Sequence, residues 1–259
     1  MPPCPETPSR PAALPRPSRL DHTLWPGLFL LGAVCAVFAG TDLDLAVQDR
    51  FYDFATARWL MDGHDPVGRL WFYQGPKVVI AAIGLGLLAL ALGPSRWRRR
   101  LGWARPDLWI AILTLVTLPL LTGLGKRYTG MHCPGEVARY GGDSPYEHLH
   151  LSIHTGGERR GRCFPAAHAS GGFALLGLAW LRRSTRWRVG GVALGLAAGW
   201  WMGGYQMLRG AHFLSHTLVT MLLAWLVVLA WRRLWRRAAI RLHERKFILD
   251  SPTLHPDPA

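Results

Sequence analysis

The stretch Arg209-Gly-Ala-His-Phe-Leu-Ser-His-Thr-Leu-Val-Thr-Met-Leu-Leu-Ala-Trp-Leu-Val-Val-Leu-Ala-Trp231 decides the fold. From His212 onward it is almost wholly apolar, and roughly 20 such residues in a helix match the ~30 Å of hydrocarbon in a bilayer. Apolar runs of similar length recur at 25–41, 76–93, 106–124, 165–181 and 188–208. Hydrocarbon offers no water to backbone N–H and C=O groups, so each run must satisfy its own as a helix. The reading is an all-α integral membrane protein with six transmembrane helices. Hydrophobic residues make up 50 % of the 259 and are gathered in blocks, which excludes an ordinary soluble domain pair.

A formal charge of +14 would suit a nucleic-acid binder, but its distribution points to a membrane. Arg10, Arg16 and Arg19 precede the first run. Arg96, Arg98, Arg99, Arg100 and Arg105 fill the second connection, Arg182, Arg183, Arg186 and Arg188 the fourth, and Arg232, Arg233, Arg236, Arg237, Arg241 and Arg245 follow the last run. The first connection instead carries Asp42, Asp44, Asp49, Asp53, Asp62 and Asp65. Basic loops stay on the cytoplasmic side, so both termini are expected there, in the inner (cytoplasmic) membrane, with the odd connections outside. Residues 1–24 read as a disordered basic tail, 25–232 as the membrane domain, and 233–259 as a basic, Pro-rich cytoplasmic tail at the membrane surface.

Chemistry gathers at the outer junctions. His212 and His216 are four residues apart at the head of the last run, where they share a face if helical, and Arg209 precedes them by three. If the helical register extends back, Gln206, Arg209 and His212 form a ladder of amide, guanidinium and imidazole. A second junction, Cys163-Phe-Pro-Ala-Ala-His-Ala-Ser170, sets His168 after Pro165, a residue suited to a first helical turn whose free N–H groups attract an anion. The third, Gly125-Lys-Arg-Tyr-Thr-Gly130, puts Lys126 at a helix end as a point charge for the same anion. Lone Lys or Arg residues at helix ends usually snorkel to the interface. Three histidines on one membrane side are a different matter, because ionisable groups there are costly and mark sites. Phosphate ester cleavage through a covalent intermediate needs a nucleophile, an acid and fixed positive charge, and these residues supply all three. Cys133 and Cys163 fall in the long outer connection and can pair in an oxidising compartment, while Cys4 and Cys35 read as inert.

The three blocks, within residues 120–220, resemble the type-2 phosphatidic acid phosphatase superfamily, which shares its core with vanadium haloperoxidases. That family's pattern runs Lys-x6-Arg-Pro, Pro-Ser-Gly-His and Ser-Arg-x5-His-x3-Asp. Lys126 and Pro134 match the first block, Pro165 and His168 the ends of the second, and His212 the third. The resemblance implies that His212 attacks phosphorus, that His168 protonates the leaving group, and that the basic residues bind phosphate. Cys133 stands in place of the first-block arginine, Ala166 and Ala167 in place of serine and glycine, and Gln206 in place of the third-block arginine, with Arg209 one turn later. His216 replaces the aspartate that orients the nucleophile. A neutral imidazole there can accept from the other ring nitrogen of His212, and Glu136, Asp143 or Glu147 are candidates for the missing anion.

The expectation is a cofactor-free, metal-independent phosphatase or phosphotransferase acting on a lipid phosphate at the outer face, with membrane lipids and no nucleic acid as its surroundings. Phosphatidate-like lipids, isoprenoid pyrophosphates and phosphorylated glycolipids all fit, and the sequence leaves the oligomeric state open. One alternative keeps the fold as a lipid-phosphate binding or transport protein. Another is metal-assisted hydrolysis, since His212-x3-His216 has the spacing of two ligands on a helix.

Overall fold

The computed structural model describes residues 22–149 and 161–249. The N-terminal tail through residue 21, with Cys4 and its arginines, His150 and His154, and the chain after 249 lie outside the described residues. The molecule is helical: α1 (Leu24–Gly40), α2 (Leu43–Gln48), α3 (Pro66–Arg69), α4 (Gly75–Leu92), α5 (Ser95–Leu101), α6 (Arg105–Tyr128), α7 (Ala167–Ala174), α8 (Thr185–Leu208) and α9 (Leu214–Leu249). Among the described residues the one sheet is a short hairpin pairing Tyr52–Asp53 with Arg58–Trp59.

Among the described residues three helical segments are long and apolar enough to cross a membrane: Pro66–Leu92, Arg105–Tyr128 and Leu214–Leu242. A fourth counts if α1 and the residues to Phe51, bent by 84°, form one broken span. This makes a membrane protein, but the six-helix expectation is not matched by length and composition. The run at 165–181 is an eight-residue helix continued by 3-10 turns over Leu175–Trp180. The run at 188–208 lies in a full-length helix, α8, whose many glycines dilute its apolar character. The last run extends past its expected end, because the Arg-, Ala- and Leu-rich sequence after Trp231 has no Gly or Pro to stop it and α9 continues to Leu249.

Packing explains the short run. Segment 167–181 is the core itself, with Ala169, Phe173, Ala174, Leu176, Ala179 and Trp180 almost wholly buried against Leu118 of α6 and Ala224, Val228 and Leu229 of α9. Such a segment needs no lipid-facing side. α8 comes close to it through a stripe at four-residue spacing. A methyl on Gly191 would stand 2.5 Å from Ala179 Cα, one on Gly195 2.6 Å from Leu176 N, and one on Gly203 2.6 Å from Thr217 Cγ2 of α9. Small residues at this spacing let backbones touch where no hydrophobic drive exists between helices in lipid. The outward sides of α1, α4, α6 and α8 carry exposed Phe29, Val78, Leu85, Leu120, Leu121, Val189 and Leu194, an apolar belt suited to acyl chains.

α3 and α4 run on as one rod. Asp65 caps it by accepting from Val67 N (3.1 Å) and Gly68 N (2.8 Å), with Pro66 in the first turn. A wide π turn at Leu70–Gln74 joins the two helices, and Gly75 fits because a Cβ there would be 2.7 Å from the Leu70 carbonyl oxygen. Such a turn rotates the side chains that precede it relative to those that follow.

The first and third connections fold together over one end of the bundle, outside the spans. Tyr52, Trp59 and Tyr140 pack ring against ring at 4.8–5.3 Å. Arg139 donates two bonds to Asp49 (2.8 and 2.7 Å), and Tyr140 Oη donates a third (2.8 Å). The last carbonyls of α8 are satisfied from the same cap, Met207 O by Gln48 Nε2 (2.8 Å) and Leu208 O by Met61 N (3.2 Å). Asp44, buried to 2 % exposure, accepts from Ser215 N (2.9 Å) and Ser215 Oγ (2.5 Å) at the start of α9. The first connection, read from sequence only as an acidic loop, thus caps a helix from another part of the chain.

Candidate active site

Beneath this cap lies a cavity of about 310 Å³ lined by Gly63, His64, Arg69, Tyr73, Lys126, Cys133, His168, Gln206, Arg209, Ala211 and His212. Lys126, His168, Gln206, Arg209 and His212, singled out from sequence, all reach it. They come from four elements: the last turn of α6, the first turn of α7, the end of α8, and the turn before α9.

The ladder expected along one helix does not exist, because α8 stops at Leu208. Gly210 adopts φ +70°, and Ala211 N returns to Gln206 O (2.8 Å), the bond that closes a left-handed helix terminus. Its α-carbon also lies against the Trp59 indole, and Gly135 N donates to its carbonyl (2.8 Å), so a side chain at this position has neither the dihedral nor the room. The turn still points all three side chains inward. His212 is therefore in the connection, two residues ahead of α9, and His216 is one turn further inside the helix.

His212 is 2 % exposed, and its ring is 5.9 Å from that of His168 and 5.8 Å from that of His216. Burial pushes its pKa down, and Lys126 and the neighbouring imidazoles and Arg209 add to the shift, so the ring is neutral. Its Nδ1 lies 3.4 Å from Cys163 Sγ. Cys163 is bonded to Cys133 with a Cα–Cα distance of 5.1 Å, so its sulfur has no proton to give. The contact is then made with Nδ1 protonated, which puts the lone pair on Nε2.

This corrects the expected partner. His216 makes no hydrogen bond to His212: among the described residues neither of its buried ring nitrogens has a partner, and the ring lies between Phe164 and Phe213 at 5.2 and 5.5 Å. His216 does not line the cavity. Nor does the candidate anion Glu136 reach the nucleophile, since its carboxylate accepts from Cys133 N (2.8 Å), and among the described residues lining the cavity none is acidic. Cys163, His212 and His216 have their ligand atoms within 4.8 Å of one another, but a sulfur held in a disulfide is no thiolate, which removes the third ligand of that set.

The second block is also held differently from expectation. Pro165 sits before α7, against Gly125, and the N–H of Ala166 is already taken by Thr220 Oγ1 (2.9 Å), so it is not offered to an anion. His168 is fixed instead by Tyr73, whose hydroxyl is 3.0 Å from Nε2, and Lys77 Nζ lies 3.6 Å over the Tyr73 ring. Arg69, Tyr73 and His64 were not singled out from sequence. Arg69 and Tyr73 are four residues apart just ahead of an apolar run, the same kind of junction as the other three blocks, but without a motif to mark them.

Positive charge from Arg69, Lys126 and Arg209 around two facing imidazoles suits a phosphate ester. No curated protein and no solved structure matches the chain. A family model described as PAP2 superfamily matches residues 107–239, which takes in α6 through most of α9 and every motif residue of the cavity. Its members are in general phosphatases acting on phosphate esters. With the three blocks brought onto one cavity and half the chain under that match, this protein belongs to the PAP2 superfamily, the type-2 phosphatidic acid phosphatases.

Proposed function

We propose that the protein is a phosphatase or phosphotransferase for a lipid phosphate, working through a phosphohistidine at His212 on the outer face of the inner (cytoplasmic) membrane. The observation that carries this is the pair of imidazoles, His212 and His168, facing each other across a cavity ringed by Arg69, Lys126 and Arg209. Nε2 of His212 attacks phosphorus as the ester P–O bond breaks, and the departing alkoxide takes a proton from His168. His168 enters the step as the imidazolium, its charge favoured by the bound phosphate anion against the burial and the Lys126, Lys77 and Arg209 charges that otherwise push its pKa down to about 4. Water, or the hydroxyl of a second lipid, then gives its proton back to His168 and displaces the phosphoryl group from nitrogen. The three cations balance the charge that builds on the equatorial oxygens. Tyr73 holds the His168 ring, and the disulfide sulfur holds the tautomer of His212. The cytoplasmic tails, 1–24 and 233–259, and the outward orientation of the cavity follow from the sorting of arginine, and phosphatidate-like, isoprenoid pyrophosphate and glycolipid substrates all meet the same chemistry.

The test is phosphate release from a panel of lipid phosphates by purified wild type, His212→Ala and His168→Ala. Loss in both variants, with the protein still in the membrane, is expected; unchanged turnover would overturn the mechanism. The catalytic reading competes with a binding or transport role for the same fold, favoured by Cys133, Gln206 and His216 in place of two arginines and an aspartate. Trapping labelled phosphate on His212 excludes that role, whereas stoichiometric binding without turnover establishes it.

A further inference from the structure

A second cavity, larger than the one with the histidines, opens elsewhere among the described residues. It is a cleft of about 730 Å³ at the opposite, arginine-rich end, between α4 and α8. Near the active site the π turn ahead of α4 packs on α8, where Phe72 stacks on Trp201 and Tyr205 (4.7 and 5.0 Å) and Trp201 Nε1 donates to Trp71 O (3.2 Å). Away from that contact α4 and α8 part. Leu178 and Leu181 of the core segment form the floor, and Ile83, Leu87, Leu90 and Leu194 form the walls.

Glycine makes this gap. Gly86 of α4 and Gly190 of α8 both line it, and a methyl added to either would meet no atom within 4 Å. These two differ from the stripe glycines of α8, which are filled by neighbours. The walls are firm at the arginine-rich end. Arg98 Nη1 donates to the carbonyls of Leu90 (3.1 Å) and Gly93 (2.9 Å), which ties the end of α4, and Trp187 Nε1 donates to Leu178 O (2.9 Å), which ties α8 to the floor.

The lining is apolar except at one end, where Arg182 and Arg186 stand beside Trp103, Trp187 and Ser184. Both arginines are exposed, and the Arg182 guanidinium sits 5.8 Å over the Trp187 ring. None of the described residues lining the cleft is acidic. The adjoining hollow holds Asp107, whose carboxylate lies 3.8 Å from the buried Arg232. An apolar slot within the about 300–1,000 Å³ typical of ligand sites, capped by two guanidinium groups and two interfacial indoles, has the polarity of one molecule class. We propose that this cleft binds an anionic phospholipid from the leaflet at the arginine-rich end, with an acyl chain between α4 and α8 and its phosphate on Arg182 and Arg186. The site is separate from the histidine cavity and does not depend on its chemistry.

The test uses full-length protein reconstituted in nanodiscs of phosphatidylcholine with a minor fraction of phosphatidylglycerol, then extracted and weighed by native mass spectrometry. Wild type should retain phosphatidylglycerol preferentially. Arg182→Gln with Arg186→Gln should lower that preference roughly tenfold or more, at about 1 kcal/mol for each basic residue near an anionic surface. Gly190→Leu and, independently, Gly86→Leu should exclude lipid of either headgroup, since their side chains enter open space in the cleft rather than the protein. Lys126→Ala with Arg209→Ala serves as control and should leave retention unchanged. The proposal is overturned if wild type shows no preference, if both glycine variants retain lipid as wild type does, or if the control variant loses it, which would place the lipid in the histidine cavity.

Discussion

Replacing Asp44 tests how the two sides of the chain cooperate at the nucleophile. Its carboxylate accepts from the amide and the hydroxyl of Ser215, the residue just before His216 in a buried helix start. Asp44→Ala leaves both donors without a partner, each worth about 1–3 kcal/mol, and removes a helix cap together with a negative charge at the positive end of α9. The desolvation that Asp44 suffers is relieved at the same time, so the net loss is set at about 2–4 kcal/mol, or roughly 5–15 °C in Tm. Asp44→Asn keeps the shape but turns an amide N–H₂ toward one donor, and should lose about half as much. Ser215→Ala should cost about 1 kcal/mol. The two positions share one interaction, so a double-mutant cycle in detergent melting should give a coupling of roughly 0.5–3 kcal/mol. Below the melting range, Asp44→Ala should also lower kcat for phosphate release by tenfold or more, because the turn that carries His212 is anchored by that start of α9. A melting temperature within about 1 °C of wild type, or strictly additive Asp44→Asn and Ser215→Ala effects, would refute the reasoning.

Gly203→Val puts branched carbons where a single methyl would already stand 2.6 Å from Thr217 Cγ2, and should destabilise by about 3 kcal/mol or fail to insert, while Gly204→Ala, with open space at its Cβ, should melt like wild type. Cys133→Ser with Cys163→Ser opens a loop spanning 30 residues and should lower stability by roughly 3–4 kcal/mol, read as chemical denaturation in micelles. At temperatures where that variant is folded, its kcat should fall more than its KM rises, since the sulfur touches the nucleophile and not the leaving group. The Arg139 guanidinium, with help from the Tyr140 hydroxyl, holds the Asp49 carboxyl below the usual carboxylate range. A depressed folded pKa gives stability that is present above the unfolded value of about 4 and is lost as pH falls through the folded one. Trp59 fluorescence, reporting the packed cap, should stay constant from pH 8 to about 5 in wild type and change at higher pH in Arg139→Gln; identical acid transitions would count against that link.

Which parts of this were readable in the chain follows from range. Apolar length is a local property, so α1, α4, α6 and α8 were placed within a few residues by their runs, and α9 at its start though not at its end. Local, too, is the chemistry of a junction, and Lys126, His168, Gln206, Arg209 and His212 arrive at one cavity. What failed depends on partners. Segment 165–181 looks like a short span in isolation, and only the surrounding helices make it a core. The register from Gln206 to His212 looks helical until Gly210, whose positive φ is a property of the turn against Trp59. His216 sits at the right offset to orient His212, but ring direction is not encoded in an offset. Arg69, Tyr73 and Asp44 belong to the first connection, more than 50 residues from the nearest motif, and nothing local announces that it folds over the site.

Those distant residues give the motif departures a physical sense. Two positions where the family pattern has arginine, 133 and 206, hold an uncharged disulfide half and an amide, yet the cavity is still ringed by three cations. Arg209 stands one turn on from Gln206, and Arg69 arrives from the start of α3, so the charge has moved rather than vanished. The aspartate's position has lost its charge without an equivalent returning to the imidazole, because Asp44 reaches the neighbouring Ser215 and not His212. Cys133, in the place of an arginine, bonds to Cys163, and Cys163 lies against Nδ1 of His212, so one substitution provides the contact that another removed. Sulfur can hold the ring's tautomer but cannot stabilise an imidazolium as a carboxylate does. Restoring the carboxylate alone, as His216→Asp, would bury an anion between Phe164 and Phe213. That variant should gain activity only when it reaches Nδ1, which the disulfide now occupies; the expected result is loss of stability with no gain in kcat in the oxidised protein. A gain in kcat with the disulfide intact would show that position 216 still orients the nucleophile, and would return the sulfur to a purely structural role.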